Sequence, residues 1–250
     1  MSSQKNSVTT SGSTVANHKS KDDKYPMKRG LAGNLGNWGG MLLTKMLIHL
    51  RAVGLENIPA DKPYVIAANH ETYVDGMWIA SFLPRKHFKI MACIAGSDLE
   101  SEHGLFGKLI CRVGRAVPID RFGNPVRGLI IAKRKVEEGN IMLVHPEGTR
   151  SPDGLLGEMK NGAAYIAMKA KVPLLPVFID GGYEVFNRHM KLPHPFDENH
   201  KRRTVVVHFG KPLRPEDYKD TQSMSDALTA WMAEKFRNKL VPRKFSPSHP

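Results

Sequence analysis

Short apolar runs alternate with longer amphipathic stretches along most of the chain, and this alternation predicts the fold class. Runs rich in β-branched residues predict buried strands at residues 64–68, 88–93, 114–121, 141–145, 174–180 and 203–209. Apolar residues at helical spacing predict helices at residues 77–83, 105–113, 124–138, 162–171 and 223–240. Residues 183–202 are expected to be irregular. Alternating strands and helices favour an α/β fold with a mainly parallel central sheet flanked by helices.

The chain begins with a different pattern. Residues 1–25 are rich in Ser, Thr, Lys and Asn and are expected to form a disordered arm. Residues 26–54 are expected to form an amphipathic membrane-surface segment, because five apolar side chains share one face of a predicted N-terminal helix. These are Leu42, Leu43, Met46, Leu47 and Leu50. The main domain is expected at residues 55–240 and a flexible tail at residues 241–250.

The predicted N-terminal helix has two open interpretations. It is too short and too charged to span a bilayer, which takes about 20 apolar residues. It therefore either lies in the interface of a membrane or packs on the domain through the same apolar face. The sequence pattern is compatible with both.

A histidine and an aspartate, His70 and Asp75, follow the first predicted strand within one turn of each other. Residues at the carboxyl end of such a strand lie at the mouth of an α/β sheet, where ligands usually bind. A histidine oriented by a carboxylate can take a proton from a hydroxyl near neutral pH. The same spacing also occurs by chance, so the pair alone leaves a structural role open.

Two arginines end or follow later predicted strands. Arg121 and Arg150 carry planar guanidinium groups, which suit phosphate recognition. Gly148 allows close approach of the backbone to a ligand, and its N–H could act as a further donor. Each arginine could instead form a surface salt bridge, with Asp120 or with Glu147. Together with the histidine and aspartate, the two arginines favour a site for a phosphate-bearing substrate.

These residues resemble, in order, the four sequence blocks of the glycerolipid acyltransferase family, whose best-known branch is 1-acylglycerol-3-phosphate acyltransferase. The likeness covers about residues 55–215, and four blocks in the right order make it specific. The blocks are Asn69-His70-x4-Asp75, Pro118-Ile119-Asp120-Arg121, Pro146-Glu147-Gly148-Thr149-Arg150-Ser151 and Val172-Pro173-Leu174-Leu175-Pro176-Val177.

The resemblance implies an enzyme and a role for each matched residue. In the family, the histidine is the general base, the aspartate orients it, and the arginines of the second and third blocks hold the acceptor's phosphate. Carried over, these roles fall on His70, Asp75, Arg121 and Arg150, while Glu147, Gly148 and Thr149 match the block that shapes the acceptor site.

The resemblance also implies the substrates. A fatty acyl group is expected to pass from acyl-CoA or acyl carrier protein to the hydroxyl of a lysophospholipid. The best match is 1-acylglycerol-3-phosphate, which gives phosphatidic acid, a step of phospholipid biosynthesis. Because the thioester is already activated, no cofactor is expected.

Two departures from the family pattern concern the acceptor. His145 stands where the family usually has Phe, and a more polar wall could change the acceptor preference. Residues 92–99 contain no Lys, although phosphatidate-forming members tend to carry one there. An acyltransferase for another lysophospholipid, or for glycerol phosphate, therefore stays open as an alternative.

Other catalytic chemistries have little support in the sequence. No Gly-x-Ser-x-Gly elbow is present, and neither Cys93 nor Cys111 lies in a catalytic signature. A metal site at His70 and Asp75 would need further ligands at regular spacing, and none is evident. We therefore expect no metal.

Composition and charge indicate the partner and the compartment. A net charge of +13 calls for an anionic partner. Nucleic acid is not expected, because no zinc-ligand pattern, aromatic RNA-binding run or basic heptad region occurs. An anionic membrane surface fits the charge, and two cysteines without a secretory signal favour peripheral association with the cytoplasmic face. The alternative from another class is a non-catalytic basic module that binds anionic surfaces.

Overall fold

A computed structural model describes residues 24–120 and 123–239, except for the side chains of residues 100–103. Its strands are β1 His49–Val53, β2 Val65–Ala68, β3 Met91–Gly96, β4 Val117–Ile119, β5 Ile141–Val144, β6 Leu174–Asp180 and β7 Thr204–Phe209. Within the described residues they form one seven-stranded sheet in the order β1-β7-β6-β2-β5-β3-β4. Neighbouring strands run parallel except β6 and β7. The predicted mainly parallel sheet is confirmed.

Helices cover both faces of this sheet. They are α1 Gly30–Leu47, α2 Asp75–Ala80, α3 Arg85–Ile90, α4 Leu99–Gly114, α5 Val126–Glu137, α6 Gly162–Ala170, α7 Gly182–Phe186 and α8 Thr221–Arg237. Alternate residues of β2 belong to two separate apolar cores, with Val65 and Ala67 in one and Ile66 and Ala68 in the other. Helices α5, α6 and α8 complete the first core, and α2 completes much of the second. A strand buried on both faces explains the continuous apolar run.

Several predicted boundaries need correction. The strand expected at residues 88–93 begins only at Met91, because the preceding residues form α3 directly after Pro84. Helix α2 begins at Asp75 rather than at residue 77. The helix expected from residue 105 begins at Leu99, and non-helical backbone at Gly104 (φ 52°, ψ −126°) interrupts its periodicity. Such an interruption shifts the apolar face, so only the second half of α4 was visible as a helical pattern.

Two further differences concern loops. Helix α5 begins at Val126, and the side chain of Asn124 accepts a hydrogen bond from the Val126 N–H at 3.0 Å. Pro125 therefore occupies the N-cap position, and the Asn124 side chain closes a local turn just before the helix. Helix α7 occupies the start of the stretch expected to be irregular, where five residues are too few to show a period.

The N-terminal helix is confirmed, but its extent and face differ from the prediction. Helix α1 ends at Leu47, and Leu50 lies in β1, which pairs with β7. The sheet therefore starts inside the segment 26–54 that was expected to lie wholly at a membrane surface. Tyr25, the last residue of the expected arm, packs against a core. The rest of the arm through residue 23, and the predicted tail, lie outside the described residues.

No described helix combines the length and the apolar character that crossing a bilayer requires.

Candidate active site

The candidate site lies where three parallel strands end. Strand β2 pairs with β5 on one side and with β6 on the other, all in the same direction. Their carboxyl ends therefore lie side by side at the same end of the sheet. This end carries the loop after β2, which contains His70, and the loop after β5, which contains Arg150. The fold thus brings together the first and third sequence blocks, as expected for a doubly covered α/β sheet.

His70 and Asp75 form a hydrogen-bonded pair. The Nδ1 atom of His70 lies 2.9 Å from Oδ2 of Asp75. The same oxygen accepts the backbone N–H groups of Glu71 at 2.8 Å and Thr72 at 2.9 Å, and Oδ1 accepts the Thr72 hydroxyl at 2.7 Å. Asp75 is fully buried, whereas the His70 side chain is 22% exposed. The carboxylate is therefore fixed from several directions, while the imidazole reaches the surface.

Electrostatics keep this carboxyl group ionised. Burial alone would raise the pKa of Asp75, but the hydrogen bond and the charge of His70 outweigh burial and hold the pKa below its ordinary value. An ionised carboxylate can only accept hydrogen bonds, so the proton of neutral His70 resides on Nδ1. The Nε2 atom of His70 then carries the free lone pair, as a general base requires.

Glu147 supports the loop around His70. Its Oε1 accepts the backbone N–H of His70 at 2.8 Å, and its Oε2 accepts the backbone N–H of Gly157 at 2.8 Å. The side chain is buried, and burial raises the pKa of Glu147 against the lowering effect of these two bonds. Both oxygens thus bind backbone amides, so this geometry gives Glu147 a supporting role where the resemblance suggested an acceptor contact.

A backbone hydrogen bond joins the loop that carries His70 to the loop that carries Arg150. The N–H of Ser151 donates to the carbonyl oxygen of His70 at 2.8 Å. Ser151 directly follows Arg150, so the guanidinium-bearing residue is anchored next to the backbone of the base. The relative position of Arg150 and His70 is therefore set by the main chain and not only by flexible side chains.

Arg150 rests on an aromatic ring. Its Cζ atom lies 3.5 Å from the ring centroid of Tyr73, and its Nη2 donates to the Tyr73 hydroxyl at 2.7 Å. The ring of Tyr73 in turn meets Phe106 of α4 edge to face, with 6.2 Å between centroids. The cation–π contact and the hydrogen bond together hold the guanidinium group at the Tyr73 ring. Arg121, the second predicted phosphate contact, lies outside the described residues, so its role stays a prediction.

The turn between Glu147 and Arg150 leaves its backbone accessible to a ligand. Gly148 has φ of +74°, a left-handed conformation that favours glycine, and Thr149 is exposed. The Lys160 ammonium group lies against this glycine, because a Cβ atom placed on Gly148 would come 3.1 Å from Nζ. A second cation thus stands beside the loop that carries Arg150. Sequence reasoning did not identify Lys160.

His145 lies beneath the candidate base. Its ring stacks on that of His70, with 3.9 Å between centroids and 11° between planes. Its Nδ1 lies 3.0 Å from the carbonyl oxygens of both Ala68 and Asn69. Burial, followed by the charge of His70, lowers the pKa of His145 to about 3. The residue singled out as a departure from the family pattern therefore touches the candidate base itself.

The geometry of this group does not suit a metal ion. His70, Asp75 and His145 each bring one potential ligand atom within 4.8 Å of the others. An imidazole binds a metal with a lone pair in the plane of its ring. Two nearly parallel, stacked rings cannot both direct such lone pairs at one ion between them. We assign no metal to these residues.

Other contributing residues were missed because their partners are distant or their signals are weak. Thr72 stands three residues before Asp75, a spacing at which hydroxyl and carboxylate groups often bond locally, and this signal was available. Tyr73 gave no signal, because its partner Arg150 is 77 residues away.

Comparisons with known proteins identify the family of this chain. A family model described as Acyltransferase matches residues 49–180. The "Probable 1-acyl-sn-glycerol-3-phosphate acyltransferase" of Mycoplasma pneumoniae is 26% identical over 197 residues, which cover 76% of this chain and 73% of that protein. The 1-acyl-sn-glycerol-3-phosphate acyltransferase of Bacillus subtilis is 28% identical, with 74% and 86% covered. The human enzyme, 1-acyl-sn-glycerol-3-phosphate acyltransferase alpha, is 26% identical over a match that covers 54% of this chain and 50% of that enzyme.

A solved structure supports the fold as well. The crystal structure of the 1-acyl-sn-glycerophosphate (LPA) acyltransferase PlsC from Thermotoga maritima matches with a TM-score of 0.66 and 26% identity. The match covers 85% of this chain and 81% of that chain. The family model includes both loops that carry His70, Asp75 and Arg150. With its sheet, its histidine–aspartate pair and a family match over more than half its length, the chain belongs to the acyltransferase family.

Proposed function

We propose that the protein transfers a fatty acyl group from an acyl thioester to the free hydroxyl of 1-acylglycerol-3-phosphate, which yields phosphatidic acid. The observation that carries this proposal is the fixed placement of Arg150 beside the His70–Asp75 pair through the backbone bond from Ser151 to His70. A cation at a set position relative to a base suits an acceptor that carries a phosphate and a hydroxyl. The names of the matched relatives and of the matched structure agree with this acceptor.

The reaction needs one base and no covalent enzyme intermediate. Nε2 of His70 accepts the hydroxyl proton while the oxygen attacks the thioester carbonyl carbon. The tetrahedral intermediate collapses, the C–S bond breaks, and the His70 imidazolium returns its proton to the leaving thiolate. Asp75 holds the ring in the required tautomer and stabilises the imidazolium. Acyl-CoA and acyl carrier protein present the same reacting atoms, so the chemical step is the same with either thioester as donor.

The acceptor's phosphate is assigned to Arg150 and Lys160. Arg150 provides a guanidinium group with parallel N–H donors, which Tyr73 holds in place, and Lys160 adds a second positive charge beside Gly148. The stretch 92–99 has no Lys, and Lys160 stands as an alternative source of a second cation. Arg121 is the third candidate from the sequence.

Acceptor-dependent thiol release from palmitoyl-CoA tests this proposal. The purified protein is assayed with lysophosphatidic acid, lysophosphatidylcholine, lysophosphatidylglycerol and glycerol 3-phosphate, and the products are identified by mass spectrometry. Lysophosphatidic acid should give the highest kcat/KM and phosphatidic acid as product, and His70→Ala should remove at least about 99% of the turnover. A higher kcat/KM with another acceptor would reassign the head group, and turnover retained by His70→Ala would overturn the assignment of the base.

Membrane-surface association is the second part of the proposal, and α1 supports it. The side of α1 that packs on the protein is built from glycines: Cβ atoms on Gly33 and Gly36 would contact Arg112, Leu109 and Val113 of α4. The opposite side exposes large apolar residues. These are Leu31, Leu35, Trp38, Leu42 and Met46.

This arrangement is the reverse of that in an ordinary surface helix, which buries its large apolar residues. An exposed apolar stripe suits the interface of a membrane, where an amphipathic helix buries such residues among acyl chains. Leu105 and Phe106 on α4 extend the exposed apolar surface. With a net charge of +13, an anionic leaflet would attract the same protein. We propose that α1 lies on an anionic membrane from which the acceptor is drawn.

A further inference from the structure

The His145 ring is not needed for the proton transfer described above, yet it covers one whole face of the base. The two imidazole rings are nearly parallel and 3.9 Å apart at their centroids. Only one atom of the His70 ring, Nδ1, is held by Asp75. A ring fixed at one atom can still tilt about that hydrogen bond, so a second constraint is needed to define its plane.

The protonation state of His145 follows from its partners. Carbonyl oxygens only accept hydrogen bonds, and Nδ1 of His145 lies 3.0 Å from those of Ala68 and Asn69. Nδ1 therefore carries a proton. Burial, with the charge of His70 next, lowers the pKa of His145 to about 3, while Asp75 acts in the opposite direction. His145 is consequently neutral near neutral pH.

We propose that His145 is a positioning residue whose neutral ring, held by the backbone at the end of β2, forms a flat floor that sets the plane of His70 and stabilises its imidazolium form. The inference rests on the proposed role of His70 as base. A neutral aromatic face attracts a cation, whereas a protonated ring at the same place would repel it.

Three side chains around His70 each contact a different portion of this residue. Asp75, at the start of α2, contacts the edge of the ring through Nδ1. Glu147, in the loop after β5, holds the backbone N–H of His70. His145, at the end of β5, covers the face. The positive charge that forms on His70 during the reaction therefore meets a carboxylate at its edge and an uncharged ring below it.

Two substitutions of similar size distinguish the effect of the aromatic face of His145 from the effect of its volume. His145→Phe keeps a flat aromatic face, and His145→Leu fills the site with a branched aliphatic group. With saturating acceptor and donor, kcat of His145→Leu should fall about two- to thirtyfold, the range for loss of a cation–π contact, while both KM values stay unchanged. His145→Phe should recover kcat to within about threefold of the wild type.

The outcomes are decisive in both directions. Equal kcat in His145→Leu and the wild type would overturn the proposal, because volume alone would then suffice. Equal losses in both variants would also overturn it, because the aromatic face would then have no effect of its own. Circular dichroism and thermal melting identify any variant that fails to fold. The assay uses whichever acceptor gives turnover that depends on His70, so a wrong acceptor assignment does not affect it.

A measurement on the unmodified ring covers the case in which the Leu variant does not fold. In protein labelled with ¹⁵N-histidine, His145 should show a protonated Nδ1 and an unprotonated Nε2 that do not titrate between pH 5 and pH 8. The resonance is assigned by its loss in His145→Phe. A His145 ring that titrates in this interval, or that carries its proton on Nε2, would contradict the proposed positioning role of His145. Loss of turnover in His70→Ala remains the separate test of the base.

Discussion

Asn69 and Ile179 are joined by two hydrogen bonds that imitate the pairing of two strands. Nδ2 of Asn69 donates to the carbonyl oxygen of Ile179 at 2.9 Å, and the N–H of Ile179 donates to Oδ1 of Asn69 at 2.6 Å. The side-chain amide thus continues the contact between β2 and β6 beyond the last residue of β2. It fixes the direction in which the chain enters His70.

Asn69→Leu should therefore destabilise the protein strongly. Leu has nearly the same size but leaves the N–H and the carbonyl of Ile179 buried without partners. Each unpaired group costs about 1–3 kcal/mol, so the free energy of unfolding should fall by about 2–6 kcal/mol. Urea denaturation measures this change. Asn199→Leu, at an exposed loop position, is the matched control and should change stability by at most about 0.5 kcal/mol. Equal effects of the two substitutions would contradict the pairing role.

Asp75→Asn should reduce kcat by about 10²–10⁴-fold with little change in KM. Three N–H donors converge on Oδ2 of Asp75, and an amide cannot accept all of them while also stabilising an imidazolium. Thr72→Val removes only the hydroxyl bond to Oδ1 and should have a smaller effect on kcat. Steady-state kinetics on folded variants decide the matter. A kcat of Asp75→Asn within tenfold of the wild type would show that the carboxylate does not orient the base.

Arg150→Ala should raise the KM for a phosphate-bearing acceptor about ten- to a hundredfold, since one charge-assisted contact is lost. Arg150→Lys should recover only part, because an ammonium group neither forks nor stacks on Tyr73 in the same way. Arg121→Ala is expected to act in the same direction. Arg214→Ala, which removes an exposed arginine between β7 and α8, is the control for a general loss of charge. If the acceptor KM is unchanged in Arg150→Ala, the phosphate binds elsewhere.

The pH dependence of the thermal stability should reveal the lowered pKa of His145. Its pKa is about 3 in the folded protein against 6.5 for the unperturbed side chain, so the unfolded chain binds the proton first. The corresponding stability is fully present above about pH 6.5 and is lost as the pH falls toward 3. His145→Phe lacks this proton. The Tm of the wild type relative to His145→Phe should therefore fall by on the order of a few degrees between pH 7 and pH 5. A constant difference in Tm would exclude a depressed pKa.

Trp38→Glu combined with Leu42→Glu should weaken binding to vesicles that contain phosphatidylglycerol without lowering Tm. Both side chains are exposed, at 67% and 47%, so charge there does not disturb the core. Val53→Glu is the control for added charge, because Val53 is 49% exposed and lies outside α1, in the edge strand β1. Sedimentation with vesicles at increasing salt measures binding, which should weaken as charges are screened. Unchanged binding by the double variant would show that α1 is not the anchor.

The sequence predicted the sheet because its central strands are buried on both faces and form continuous apolar runs. It could not place the end of α3 against the start of β3, since six helical residues hardly reveal a period. The candidate base and its aspartate were predictable because they lie five residues apart directly after one strand. The pairing of Asn69 with Ile179 was not, because 110 residues separate them and only the folded sheet brings them together.

Helix α1 shows why an apolar face can be misread. The spacing of Leu42, Leu43 and Met46 correctly predicted an amphipathic helix but left open whether that face met lipid or protein. The glycines of the same helix contained the missing information, because close packing against α4 requires small residues. The apolar residues of α1 alone therefore do not tell which side of the helix packs on the protein.

The backbone bond from Ser151 to His70 has a consequence for regiochemistry. It fixes the backbone next to Arg150 against the backbone of His70, so under the roles proposed for these two residues the site selects a distance along the glycerol backbone of the acceptor. Under the same proposal, only a hydroxyl at the matching number of bonds from the phosphate would reach Nε2 of His70. Which carbon of glycerol becomes esterified would then be decided by the main chain of the enzyme, and a change of acyl group would leave that choice intact.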